Sequence, residues 1–160
     1  MRKIKILHWF VIILIVGYSL NFIANIYLTF YTPDFMNFNK EFYNKFILGY
    51  YTQFVGLAFS LILFIALFFL KNGLKLTISK GFFNQKSSEK LKIAGNLFLI
   101  YGVLCLIWDT ILLFYSKGEL YFVAGISSDI LLILIGFSLF IIVDFIDNGN
   151  ILQQENDLTI

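Results

Sequence analysis

Residues 93–115 read IAGNLFLIYGVLCLIWDTILLFY, and this stretch decides the fold class. It holds a single charge, Asp109, and as a helix it extends about 35 Å, enough to cross a hydrocarbon core of about 30 Å. Three further stretches have the same character, from about Ile6 to Tyr31, from Phe46 to Leu70 and from Leu120 to Phe145, each closed by polar or charged residues. The chain therefore reads as all-α, a polytopic membrane bundle of four helices forming one domain with no room for a separate soluble one.

Composition agrees. Hydrophobic residues make up 59% of the 160 positions, charged residues 14%, and the mean hydropathy is +0.84, whereas about a quarter of an ordinary soluble chain is charged. The basic start Arg2, Lys3 and Lys5 before an apolar run has the look of a signal peptide. The run is longer than such a peptide's apolar region and no A-x-A-like pair follows, so an uncleaved anchor is expected. Cys105, the lone cysteine, sits in an apolar run and reads as a small packing residue. The net charge of +2 is too small and scattered to suggest direct nucleic-acid binding.

The position of the charges orients the chain. The N-terminus and the segment 71–92 carry nine Lys and Arg residues, against three in the other two connections. The positive-inside rule then places the basic loop 71–92, the N-terminus and the tail 147–160 in the cytoplasm. Thr32 to Lys45, with Pro33 and Asp34, reads as a solvated loop, and Ser116 to Glu119 as a tight turn around Gly118. A helix is expected to begin at Ser87 or Ser88 and run into the third span.

A shift of 76 residues aligns the fourth span with the second. Phe46 falls on Phe122, Gly49 on Gly125, and FLKNGLKL (69–76) on FIDNGNIL (145–152), with nine of 31 positions identical. Two duplicated helical hairpins would account for this; shared membrane composition is the alternative.

In lipid, small and polar residues mark the faces where helices meet. Each span has such a stripe: Gly17, Asn21, Ala24 and Asn25; Gly49, Gln53, Gly56 and Ser60; Gly95, Gly102 and Asp109; Gly125, Asp129 and Gly136. Four stripes predict a mutually packed bundle. Counted at 1.5 Å per residue, Asn21, Asn25, Gln53, Asp109 and Asp129 fall in one layer below the outer surface, forming a candidate intramembrane polar site. An ionised Asp near the bilayer centre costs about 2.5–3.5 kcal/mol. A shared proton, a bound cation, a water-filled vestibule and plain interhelical hydrogen bonding each account for the pair.

His8 beside Trp9 reads as an interfacial anchor, and the lysines and Phe82–Phe83 of the basic loop as contacts with the lipid surface. No His pair at metal spacing, nucleophile with its base, or glycine-rich phosphate loop is present, so no enzymatic activity, cofactor or metal is expected.

Lys80, Gly81, Phe83, Leu91 and Gly95 form a K-G-x-F and L-x-x-x-G pattern, and the chain ends GNILQQENDLTI (149–160). On these motifs the sequence resembles the bacterial four-span membrane family catalogued as domain of unknown function 2975, whose members look alike over nearly the whole chain. The resemblance implies a bacterial cytoplasmic (inner) membrane and, because such proteins are often encoded beside a small helix-turn-helix regulator, a cytoplasmic transcriptional regulator as partner. It assigns no activity.

Leu152, Glu155, Asp157, Leu158 and Ile160 are the candidate partner-docking residues: apolar side chains in an otherwise polar tail, which either fold back on the basic loop or dock on a partner. Two functions remain open. One is a regulatory or sensing module acting with that partner; the other is a small transporter or ion- or proton-coupled channel built on the Asp pair, which with four spans requires a homodimer.

Overall fold

The computed structural model describes residues 2–30, 52–116 and 119–157. They form four helices in chain order, α1 (Arg2–Phe30), α2 (Thr52–Lys80), α3 (Gln85–Ser116) and α4 (Glu119–Asp157). All four are long and apolar enough to cross a membrane. Trp9, Phe114, Tyr115 and Val123 are all more than 60% exposed, an outer surface that water would penalise and lipid accepts. The chain is an all-α, multi-pass membrane protein.

The packing follows chain order. α1 lies on α2, α2 on α3 and α3 on α4, and among the described residues α1 has no close backbone approach to α3 or α4. The core runs through Val11 and Ile15 of α1, Leu63, Ala66, Leu67 and Leu74 of α2, Leu91, Ala94 and Phe98 of α3, and Leu139, Val143 and Ile146 of α4. Positions 63, 66, 67 and 74, and likewise 91, 94 and 98, repeat at three, four or seven residues, the spacing of one helix face.

The basic segment 71–92 is mostly helix rather than loop. α2 continues to Lys80, α3 begins at Gln85, and only Gly81 to Asn84 intervene. Gly81, at φ +98°, adopts the left-handed conformation that ends helices and that a Cβ disfavours. Asn84 then caps α3: its Oδ1 accepts from the Ser87 amide at 3.2 Å, and its carbonyl accepts from the same amide at 2.9 Å. The helix thus starts ahead of Ser87 and Ser88. Asn caps as well as Ser does, so a sequence offering both leaves the start open.

The serines have another task. Ser87 is fully buried, and its hydroxyl forms a chain with that of Thr77, 2.5 Å away: one hydroxyl donates to the other, which donates to the Gly73 carbonyl, 2.8 Å from Ser87 Oγ and 3.1 Å from Thr77 Oγ1. This polar knot ties α2 to α3 at the end of the molecule where the lysines gather.

Candidate functional site

The site grows from the α3–α4 seam. Gly95 and Gly136 face each other so closely that a Cβ on Gly95 would stand 3.1 Å from Gly136 O, and one on Gly136 2.9 Å from Gly95 O. Two turns further along, a Cβ on Gly102 would meet Ile133 Cγ1 at 2.8 Å and Asp129 O at 3.0 Å. Glycines on both helices therefore bring the two backbones together, the condition under which dispersion and Cα–H···O contacts stabilise membrane helices.

The same seam delivers both acids. The Asp109 carboxylate fills the space that a Cβ at Gly125 would need, overlapping it outright. Asp129 Oδ2 stands 4.0 Å from that position, so the two carboxylates lie at most about 6 Å apart, within direct electrostatic reach of each other in a medium of low dielectric constant. Asp129 is 5% exposed, and its Oδ2 has no hydrogen-bond partner.

Tyr101 and Cys105 continue the Asp109 face of α3 at intervals of four residues. Their side chains interact with each other, and Cys105 also lies within electrostatic reach of both aspartates. The half-buried Cys105 is thus a neighbour of the acidic pair as well as a packing residue. Tyr101 was not evident as a site residue in the sequence, although the Y-x-x-x-C-x-x-x-D spacing was there to be read.

Of the other members of the expected polar layer, Asn21 and Asn25 are described, and they pair with each other. Asn21 and Asn25 are exposed on α1, and Asn25 Nδ2 donates to Asn21 Oδ1 at 2.6 Å and to Asn21 O at 3.0 Å. Gly17 on the same stripe has nothing within 4 Å of its Cβ position, and neither does Gly56 of α2. Among the described residues the core contacts of α1 run instead through Ile4, Val11 and Ile15. Branched apolar side chains offer more contact area to α2 than glycine and asparagine do, and this side won. The Gln53 side chain and Gly49 lie outside the described residues.

At the basic end, the two sequence motifs meet. A Cβ at Gly149 would overlap the Phe83 ring, so Phe83 from the short linker seats directly on α4. Leu91 packs in the same way on Gly73, where a Cβ would come within 2.8 Å of Leu91 Cδ2. Asn72-Gly73 and Asn148-Gly149, the pairs aligned by the 76-residue shift, therefore each present a glycine seat to a bulky side chain, Leu91 of α3 on the first and Phe83 of the α2–α3 linker on the second. Beyond Gly149 the tail does not turn back within the described residues: α4 runs on to Asp157 with Ile151, Leu152 and Glu155 exposed. Leu158 and Ile160 lie outside the described residues, as does the Asp157 side chain.

Lys71 Nζ stands 4.7 Å from the Phe68 ring centroid and Lys90 Nζ 5.2 Å from that of Phe69, cation–π pairs that keep these ammonium groups at the boundary of the apolar zone. His8 is partly buried, with Nε2 lacking a hydrogen-bond partner. Among the described residues, no three His, Cys, Asp or Glu side chains cluster as a metal site would require. No family model, curated protein or solved structure matches the chain.

Proposed function

We propose that this chain is a membrane-embedded regulatory or sensing module of a bacterial cytoplasmic membrane, with both termini in the cytoplasm, acting on a soluble partner at its basic end. One observation carries the reading. α4 continues past the Phe83–Gly149 contact as a helix whose Ile151 and Leu152, two and three residues beyond that contact, are 53% and 61% exposed. A helix that reaches beyond the bilayer gains nothing from such residues in water, whereas a docking partner would cover them.

The resemblance to the four-span family supports a small helix-turn-helix regulator as that partner. Deleting Gln153 to Ile160, or introducing Leu152→Glu, is expected to abolish co-purification of the regulator encoded next door while leaving the membrane protein folded. Unchanged co-purification removes this reading.

The unpartnered Asp129 Oδ2 favours a second reading, a small homodimeric transporter or channel in which the acidic pair handles an ion or proton. Asp109→Asn and Asp129→Asn then abolish flux in proteoliposomes, and flux at the unmutated level excludes a role for the pair in transport.

A further inference from the structure

We propose that Asp109 and Asp129 form a binding site for one proton, held between the two carboxyl groups at the α3–α4 seam. Binding is a separate matter from both readings above: the site can hold a proton whether or not the chain carries flux or docks a regulator.

The geometry comes first. Asp109 reaches across the seam into the volume left by Gly125, and the nearby Asp129 Oδ2 is buried with no partner of its own. An acceptor in that position lacks a donor, and the neighbouring group able to supply one is the carboxyl of Asp109 in its acid form. With one proton present, one carboxyl donates an O–H to the other and the pair carries a single negative charge. With none, two negative charges face each other in an apolar seam.

Charge balance points the same way. No Lys, Arg or His lies between His8 and Phe30 of α1, between Thr52 and Leu70 of α2, between Ile93 and Ser116 of α3, or between Glu119 and Asp157 of α4. No basic side chain of the described helices can therefore neutralise the pair at that depth. The titratable groups that interact electrostatically with it are Cys105 and Tyr101 of α3, Tyr101 being in turn within electrostatic reach of Tyr18 of α1, while Tyr115 of α3 is exposed. α2 contributes no titratable residue between Thr52 and Leu70, and on α4 the others are Glu119 and Tyr121, two turns or more before Asp129, and Asp144, Asp147, Glu155 and Asp157, four turns or more after it.

A metal ion fits poorly. Hard cations take six or more oxygens, and among the described residues no three His, Cys, Asp or Glu side chains are grouped so as to hold one. The helical carbonyls are largely occupied by their own ladder. Two carboxylates alone make a competent proton site and an incomplete metal site.

The test is infrared spectroscopy of the full chain in lipid nanodiscs, reading the C=O stretch of neutral carboxylic acid at pH 7, where water-exposed Asp and Glu are ionised. The expected result is one such band, shifted in D2O, unaffected by exchanging potassium for sodium or adding magnesium, and retained in Asp144→Asn. Asp109→Asn and Asp129→Asn should each remove it, because the amide takes over the donor role and leaves the remaining carboxylate ionised. Absence of the band in the unmutated protein overturns the proposal, and that measurement does not depend on any variant folding. Loss of the band on adding sodium or magnesium overturns it in favour of a metal site. Persistence in either Asn variant overturns the sharing of the proton.

Discussion

The α3–α4 seam and the outer face of α1 carry the same kind of sequence signal and meet different fates. Both are stripes of glycine and small polar residues at helical spacing. Along the seam, Gly95, Gly102, Gly125 and Gly136 each lie so close to the opposite helix that a Cβ would collide or nearly so; Gly17 on α1 and Gly56 on α2 meet nothing within 4 Å. A small residue permits close approach without compelling it. Approach occurs where the facing helix is complementary, as when Gly95 and Gly136 accept each other's carbonyls, and where no bulkier stripe on the same helix offers better packing.

Substitutions along the two stripes test this contrast directly. The largest effect is expected from Gly136→Leu, whose side chain has to displace Leu99 and the Gly95 carbonyl. Overpacking of this kind costs about 1–3 kcal/mol or more, to be measured by reversible unfolding in mixed micelles. Gly17→Leu, made in parallel, should stay within about 0.5 kcal/mol.

Next comes the basic end. Gly149→Val should expel the Phe83 ring from α4, and Phe83→Ala should remove most of the penalty. A double-mutant cycle between them is expected to return a coupling of about 0.5–3 kcal/mol, the range for residues in contact. A coupling near zero would mean that Phe83 does not sit on Gly149 in the membrane.

Smaller still is the loss at the polar knot. Ser87→Ala leaves Thr77 and the Gly73 carbonyl without the Ser87 hydroxyl, at a cost of about 1 kcal/mol. The double variant Thr77→Ala/Ser87→Ala should cost less than the sum of the two single changes, as shared hydrogen bonds require.

The smallest effect belongs to Gly17→Ala and Gly56→Ala. With no neighbour to meet and better helix propensity, they should be neutral or stabilising by up to about 1 kcal/mol. Clear destabilisation at Gly17 would reveal a surface that packs against something in the native membrane, and the contrast with the seam would no longer hold.

Much of the candidate site was legible beforehand. Asp109 and Asp129 could be paired because they flank a short turn at matching depths, and the depth of a residue on a helix follows from counting. Asn21 and Asn25 fall in the same layer by that count yet stand apart from the pair, since counting gives height along the membrane normal and not rotation about the helix axis. α3 starts after Asn84 and not at the serines: three good capping residues occur within five positions, and tertiary burial of Ser87 decides among them. Nothing in the sequence singles out Tyr101, because a tyrosine in a membrane span is ordinarily a packing or interfacial residue.

The sequence alone settled that this is a four-helix, lipid-embedded chain, because uninterrupted apolar stretches of membrane-spanning length leave the backbone no other way to satisfy its hydrogen bonds. Which stripes close on which was decided only in three dimensions. Packing is a property of pairs of surfaces, and a single helix read in isolation does not specify its partner. The meeting of Phe83 with Gly149, and of Asp109 with the space above Gly125, depends on the relative rotation of α3 and α4, which the whole set of contacts fixes together.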